Sequence, residues 1–371
     1  MINPPRFLFI QINKRCNLRC EHCVFWQDND DDKANYLSWP RKQEILREFS
    51  EMNPNGAVVI CGGETMLALE DYFDITIECR KLGLTALSVI NGTVVGTPKM
   101  ADRMMTEGPA EVSVSLNSHR RELHDRTRGM DGSFEKATRA LRLLLEARKR
   151  MPGCKTKIYV MGLIFDENFR EIEQFYDFVL NEIGADKLKL NFLQPSFGGA
   201  KPLDHFFADH AAVDPDELLR IIDRCNEKYH LNLNPVWRAH VGMYFRSLAQ
   251  TRDRERGWSS TSQTSEHICN TYERNIMVDH YGNARLCFST AFRHFPLKRY
   301  GDLKKFWNGS NDIRAQMKKC NRFCGISHSV RREHSTLAPA AFARPPQNGS
   351  DRGEGLFLPY FNDLVRMFKR A

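Results

Sequence analysis

Three cysteines near the start of the chain carry its strongest chemical signal. Cys16, Cys20 and Cys23 follow one another with the spacing C-x3-C-x2-C. Three thiolates on one short loop can bind three irons of a [4Fe–4S] cluster and leave the fourth iron without a protein ligand. Zinc is the alternative, but a structural zinc site usually takes its fourth Cys or His from a second pair. His22 lies inside the loop and is poorly placed for that role, so the spacing favours a reactive iron–sulfur cluster.

An apolar segment directly before these cysteines predicts the element that positions them. Residues 7–12 are predicted to form a buried strand, so the cysteines lie on the loop that leaves its C-terminal end. Five further strand-like segments alternate with helix-like segments. The predicted strands are 7–12, 57–60, 85–90, 111–116, 157–163 and 187–192. The predicted helices are 40–52, 67–81, 98–106, a long helix that Ser133 caps and that ends at about residue 150, 168–183, and 215–229, which Asp214 caps. Six such units predict an α/β fold, with a parallel sheet that right-handed crossovers curl into a partial barrel.

Polar residues suited to ligand binding follow several of these strands, at the edge where parallel sheets carry function. They are Gly62, Gly63 and Glu64 after the second strand, Asn91 after the third, Ser115 on the fourth and Arg128 in the loop beyond it. Glycines allow a ligand to approach the backbone, and an arginine fork suits a carboxylate. A surface ion pair for Arg128 and a half-buried strand position for Ser115 are the structural alternatives.

In these motifs the chain resembles the radical S-adenosylmethionine (SAM) enzymes. The shared features are C-x3-C-x-aromatic-C with His22 as the aromatic residue, Gly-Gly-Glu, Asn-Gly at 91–92, and Ser115 followed by His-Asp-x-x-Arg-Gly at 124–129. The resemblance implies a partial (β/α)6 TIM-like barrel and cleavage of SAM at the open iron to methionine and a 5′-deoxyadenosyl radical. It also implies a set of SAM contacts: His22, Gly62, Gly63, Glu64, Asn91, Ser115 and Arg128. Thr65 departs from the usual proline of the family, and Asn117-Ser118 departs from the common Asp-Gly.

A second set of cysteines lies in the C-terminal third of the chain. The set is Cys269, Cys287, Cys320 and Cys324. Predicted strands 275–278 and 284–287 form a hairpin that brings the first two cysteines together, and the later pair can complete a four-thiolate site for a second cluster or for zinc. The spacing resembles the twitch form of the SPASM module, which implies one auxiliary [4Fe–4S] cluster. The closing C-x3-C pair departs from the C-x2-C found in many relatives.

Composition limits the class of protein. The chain has 371 residues and is 42% hydrophobic, which supports a catalytic domain and a smaller one. It contains no apolar stretch of about 18 residues, so no membrane span is expected. The start lacks the features of a signal peptide, so we expect a cytoplasmic protein whose 11 cysteines are reduced. The net charge of +8 is interspersed with acidic residues, which favours a mixed solvated surface over a nucleic-acid platform.

The predicted organisation has four parts. Residues 1–235 form the radical SAM barrel, 236–265 a linker and 266–330 a small α+β auxiliary-cluster domain. Residues 331–371 form a tail of disorder-like composition that ends in an amphipathic helix over 356–369.

The expected activity is that of a radical SAM oxidoreductase or epimerase. Hydrogen abstraction from a small polyol or aminosugar, in natural-product biosynthesis, is the preferred hypothesis, and Asn191 and Gln194 are candidate substrate contacts. A flavodoxin- or ferredoxin-type reductant is the expected protein partner. Peptide or protein modification with the same sites is the alternative, and a metal-stabilised nucleic-acid-binding protein is a third, favoured by net charge alone. The sequence identifies no catalytic acid, base or hydrogen donor.

Overall fold

The computed structural model describes residues 2–23, 25–27, 33–193, 205–233, 235–251, 267–268, 271–288, 294–318 and 330–331. The strands are β1 Phe7–Asn13, β2 Ala57–Gly62, β3 Thr85–Ile90, β4 Glu111–Ser115, β5 Lys157–Ile164, β6 Lys187–Phe192, β7 His267–Ile268, β8 Asn275–Val278, β9 Asn283–Arg285, β10 Phe295–Pro296 and β11 Val330–Arg331. The helices are α1 Trp39–Met52, α2 Leu69–Lys81, α3 Pro98–Thr106, α4 Arg121–Arg128, α5 Ser133–Arg150, α6 Ile172–Asp177, α7 His205–His210, α8 Pro215–Lys228, α9 Pro235–Thr251, α10 Asp302–Gly309 and α11 Asn311–Lys318.

One large sheet organises the described part of the chain. Its order is β10-β9-β8-β1-β2-β3-β4-β5-β6, and β7 pairs with β11 in a separate two-stranded sheet. Strands β1 to β6 are parallel and neighbour one another in chain order. The sheet stays open, because β6 and β10 lie at its two edges. The predicted α/β fold with a partial barrel is therefore confirmed.

Alternation of side chains along the strands divides the core into two parts. Leu8 and Ile10 of β1 belong to the large cluster beneath the helices, whereas Phe7 and Phe9 belong to a smaller cluster on the other face. We call the space along this second, inner face the lumen. Its lining includes Phe9, Gln11, Val59, Cys61, Leu87, Val89, Glu111, Ser113, Ser115, Tyr159, Met161, Lys189, Asn191 and Met277. Val89 is 37% exposed, so the lumen is open to solvent.

Two segments on the fourth and fifth units differ from the prediction. The segment around His124, predicted as a loop, forms α4, which ends where Gly129 adopts a left-handed φ of 63°. The single helix predicted over 168–183 divides into a 3₁₀ turn at Phe169–Glu171, then α6, then a π-helix at Phe178–Ile183. Periodicity over such a stretch indicates a helix, but it does not distinguish between these closely related hydrogen-bond patterns.

The start of α5 also differs from the prediction. Ser133, the expected cap, is the first residue of this helix. The carboxylate of Asp125 takes the capping role, because it accepts hydrogen bonds from the Gly132 amide at 2.8 Å, the Phe134 amide at 2.7 Å and the Ser133 hydroxyl at 2.8 Å. The cap predicted at Asp214 for α8 is confirmed, since its side chain accepts a hydrogen bond from the Glu217 amide.

The C-terminal hairpin joins the main sheet. Strands β8 and β9 are antiparallel as predicted, and β8 also pairs in parallel with β1. The first part of the predicted linker is instead helix α9, which packs against α8. The predicted terminal helix over 356–369 lies outside the described residues. Among the described helices, each is too short or too polar to traverse a bilayer.

Candidate functional site

The three cysteines at the start of the chain come together after β1. Burial raises the pKa of Cys23 to about 11, and the neighbouring Cys20 and Cys16 raise it further, since like charges would lie close together. The pKa of Cys16 is also raised, by burial and by Cys20 and Glu64. Each of the three is a free thiol. Because they interact electrostatically with one another, these three side chains could serve together as ligands of one metal cluster.

The Gly-Gly-Glu segment after β2 holds the cysteine loop through the backbone. The Gly63 amide donates to the carbonyl of Asn13 at 3.2 Å, and the Glu64 amide donates to the carbonyl of Arg15 at 2.7 Å. The Asn13 side chain donates in return to the Glu64 carbonyl at 2.9 Å. A Cβ atom at position 63 would overlap the carbonyl oxygen of Arg15. Glycine is therefore required at this position by the contact with the cysteine loop.

The Glu64 carboxylate connects the ends of two strands. Its oxygens accept hydrogen bonds from the Met66 amide at 3.0 Å and from the Asn91 amide, after β3, at 2.7 Å. Burial raises its pKa to about 7, against the lowering effect of these hydrogen bonds and of Arg128. The Asn91 side chain donates to the Asn17 side chain at 2.8 Å, which links β3 to the cysteine loop.

Arg128 lies at the end of α4, beside the cysteines. The end of this helix contacts the cysteine loop through a hydrogen bond from the Glu21 amide to the Thr127 carbonyl at 3.1 Å. The Arg128 guanidinium favours the ionised forms of Cys16, Cys23 and Glu64. Its Nε atom is buried and has no hydrogen-bond partner among the residues that the structure describes. A buried, unpaired donor of this kind fits an anionic ligand such as a carboxylate.

Two histidines near the cysteines are neutral at physiological pH. Burial lowers the pKa of His22 to about 3 and that of His124 to about 3, and Arg128 adds to both effects. The His22 ring packs against Phe206, with 5.9 Å between the ring centroids. His124 accepts a hydrogen bond from the Asn117 amide at 3.1 Å. The structure therefore gives His124 and Asn117 a supporting role in the turn after β4.

The remaining predicted contacts lie along the lumen or outside the described residues. Ser115 is partly exposed at the end of β4, on the inner face. The Asn191 side chain lies 3.0 Å from the sulfur of Met161. Gln194 lies outside the described residues. Cys287 follows β9 and is half-buried, whereas Cys269, Cys320 and Cys324 are not among the described residues, so the auxiliary site stays a prediction.

Several polar residues of the lumen were missed by the sequence analysis. Glu111 and Lys189 form an ion pair in which the two side chains are 3% and 2% exposed. Cys61 lies on the inner face of β2, and burial raises its pKa to about 12. The sequence signal that could have identified them is the alternation of side chains along the strands. By that alternation, Glu111, Lys189 and Cys61 lie on the same inner face as Val59 and Leu87.

The sequence that forms this site matches a known protein family. The family model described as "Radical SAM superfamily" matches residues 10–179. An AdoMet-dependent heme synthase of Methanosarcina barkeri is 24% identical over 255 residues, which cover 69% of this chain and 67% of that protein. The Fe-coproporphyrin III synthase of the same organism is 28% identical over 174 residues, covering 46% of this chain and 40% of the relative. The subtilosin biosynthesis protein AlbA of Bacillus subtilis is 24% identical and is covered over 42% of its length.

Solved structures show the same fold. The structure described as native anSMEcpe with bound AdoMet and Kp18Cys peptide has a TM-score of 0.57 at 16% identity, and the match covers 99% of this chain and 97% of that one. The same protein with AdoMet alone gives a TM-score of 0.55 at 15% identity, covering 87% and 89% of the two chains. Residues 10–179 are therefore a radical SAM domain, and enzymes with this domain use a [4Fe–4S] cluster and SAM.

Proposed function

We propose that Cys16, Cys20 and Cys23 bind the [4Fe–4S] cluster and that SAM binds beside them. The observation that carries this proposal is the position of Arg128, whose unpaired Nε lies within electrostatic reach of Cys16 and Cys23. The donor set fits the two cofactors: three thiols leave one iron position for SAM, and a free guanidinium suits its carboxylate. The proposed SAM contacts are His22, Gly62, Gly63, Glu64, Asn91, Ser115 and Arg128.

The protein's own contribution is to bind and orient the two cofactors. When bound, the cluster and SAM would supply a 5′-deoxyadenosyl radical for hydrogen abstraction. Arg128 would donate N–H groups to the SAM carboxylate, and Glu64, once ionised, would attract its ammonium group. The uncharged His22 packs against Phe206 beside the cysteine loop. We expect this contact to limit the access of water to the cofactor site.

For the substrate, we keep a small polyol or aminosugar as the first candidate, with dehydrogenation or epimerisation as the outcome. The lumen supports this proposal, because its β4–β6 wall presents hydroxyl, amide and charged side chains. These are Ser113, Ser115, Tyr159, Asn191, and the pair Glu111–Lys189. Groups of this kind can form hydrogen bonds with the hydroxyls of a sugar.

The named relatives favour two other substrate classes. Two of them are named as a heme synthase and an Fe-coproporphyrin III synthase, which supports a tetrapyrrole. The subtilosin biosynthesis protein supports a peptide instead. The match spans less than half the length of most of these relatives, so their whole activity is not assigned to this chain.

Two further parts of the proposal concern electron transfer. Cys269, Cys287, Cys320 and Cys324 would bind an auxiliary cluster that accepts an electron from the substrate radical. A flavodoxin- or ferredoxin-type protein would reduce the first cluster. The position of Cys287, just after the β8–β9 hairpin, supports its part in this proposed site.

Anaerobic reconstitution tests the proposal. We expect about four irons per bound cluster and formation of 5′-deoxyadenosine from SAM and dithionite. Cys23→Ala should abolish that product, whereas Cys154→Ala, in a turn away from the cysteine loop, should keep it. A wild-type protein that binds iron but never cleaves SAM would refute the assignment.

A further inference from the structure

Arg285 ends β9 on the face of the sheet that lines the lumen. Its cross-strand partner is Met277, which packs in the inner cluster with Phe7 and Phe9. The preceding residue, Ala284, belongs to the outer core beneath the helices. Because cross-strand partners share a face, the Arg285 side chain leaves the sheet on the lumen side.

The Arg285 guanidinium is a buried charge without a counter-ion among the described residues. The residue is 9% exposed, and its Nε atom has no hydrogen-bond partner in the described part of the chain. No ion pair or side-chain hydrogen bond of Arg285 occurs with any part of the chain that the structure describes. Buried charges in proteins are normally paired, as Lys189 is with Glu111 in the same lumen. An arginine in this position is therefore suited to bind an anion.

Two titratable groups face Arg285, and both are uncharged at neutral pH. Cys61 of β2 has a pKa of about 12 because of its burial, and Arg285 lowers that pKa only in part. The pKa of His294 is lowered by burial and by Arg285, against the opposite effect of Asp279. His294 Nε2 is itself buried and has no hydrogen-bond partner among the described residues. Neither group supplies the negative charge, and the electrostatic interaction with Cys61 shows that Arg285 lies on the same side of the sheet as this thiol of β2.

We propose that Arg285 binds an oxyanion of the substrate, a carboxylate or a phosphate, inside the lumen. The proposal depends on the proposed function, because it takes the lumen as the substrate site. A guanidinium can donate two parallel N–H bonds to such a group, and His294 can donate a third. It deepens the substrate assignment: a polyol or aminosugar that carries a carboxylate or a phosphate fits this site better than a neutral one.

Anion titration tests the proposal without knowledge of the substrate. Reconstituted protein with SAM bound, so that Arg128 is engaged, is titrated with inorganic phosphate or with citrate, against sodium chloride at equal ionic strength. We expect phosphate, citrate or both to raise the midpoint of thermal unfolding. A response to phosphate alone indicates a phosphorylated substrate, and a response to citrate alone indicates a carboxylate.

Two variants test whether Arg285 is the residue that causes the stabilisation by anions. Arg285→Met should weaken the apparent anion affinity by at least about tenfold, as expected for lost charge-assisted hydrogen bonds. The matched control is Arg314→Met, which removes another buried arginine with unpartnered Nη atoms, stacked on Trp307 outside the lumen. This control should keep the wild-type response. An equal response in all three proteins, or no response in the wild type, would overturn the proposal.

A second measurement tests the competing explanation, which is that an auxiliary cluster bound by Cys287 neutralises the charge of Arg285. Without added anions, Arg285→Met should unfold at a higher temperature than the wild type, because it removes an uncompensated buried charge. A lower unfolding temperature with loss of about four irons would show that the cluster holds the charge, and the proposal would fail. If the wild type forms no 5′-deoxyadenosine, the proposed function fails separately, whatever the anions do.

Discussion

The cysteine loop and the hairpin edge of the lumen present their polar groups in different ways. At the cysteine loop, backbone amides of Gly63 and Glu64 donate to carbonyls of Asn13 and Arg15, so the main chain itself holds the site. At the hairpin edge, Arg285 projects from a three-residue strand and has no partner among the described residues.

The difference follows from what each region must recognise. A site held by backbone contacts requires glycine at one place and fixed spacings around it, so it accepts one cofactor arrangement. A site made of side chains on alternate strand positions can change its ligand by single substitutions without a change in the backbone. A change of the backbone contact at the cysteine loop should therefore abolish activity. A change of a charged side chain in the lumen should alter stability.

The largest effect is expected from Gly63→Ala. The added methyl group would overlap the Arg15 carbonyl and displace the cysteine loop, so the variant should lose the first cluster and all 5′-deoxyadenosine formation. Iron content and product yield measure this. Gly96→Ala is the control, because nothing lies within 4 Å of its Cβ position. A Gly63→Ala enzyme with full iron and activity would show that the backbone contact is dispensable.

The buried pair of the lumen should give the next largest effect. Lys189→Met removes the positive charge that faces the buried Glu111 carboxylate and should lower the free energy of unfolding by about 3–5 kcal/mol. The double variant Lys189→Met with Glu111→Met should recover most of that loss, since both charges are then absent. Denaturant unfolding of the set measures the coupling. Equal losses in the single and double variants would contradict a compensated pair.

Arg128→Gln should weaken SAM binding by about tenfold to a hundredfold, because a charge-assisted contact to the carboxylate is lost. Equilibrium binding of SAM to the reconstituted protein measures this. Arg126→Gln is the matched control on the same helix, since Arg126 is exposed and pairs with Glu167. If both variants bind SAM equally well, Arg128 is not the carboxylate ligand.

The smallest effect concerns the pH dependence of stability in SAM-free protein. Burial raises the pKa of Glu64 from its ordinary 4.5 to about 7, so its contribution to stability is fully present below pH 4.5 and is lost as pH rises through about 7. Glu64→Gln should reduce the decline of stability in that window by at most about 1.4 kcal/mol per pH unit. Unfolding curves at several pH values check this, and an unchanged slope would contradict the raised pKa.

The sequence was sufficient to predict the fold class and to identify the residues of the proposed cofactor site. Strand and helix periodicities alternate six times, and short motifs such as Cys16–Cys23 place their residues within one loop, so their proximity needs no tertiary information. The sequence did not predict that Gly63 packs against the cysteine loop or that Asp125 caps α5. Each of these contacts joins residues that belong to different elements.

The charges inside the lumen, and their pairing, depend on contacts between segments that are far apart in the chain. Glu111 and Lys189 are 78 residues apart in the chain, and Arg285 faces Cys61 across a curved sheet. Each is an ordinary strand residue in the sequence. Burial and the direction of the side chain turn them into an ion pair and an unpaired charge, and both depend on how the sheet curves and which strands become neighbours.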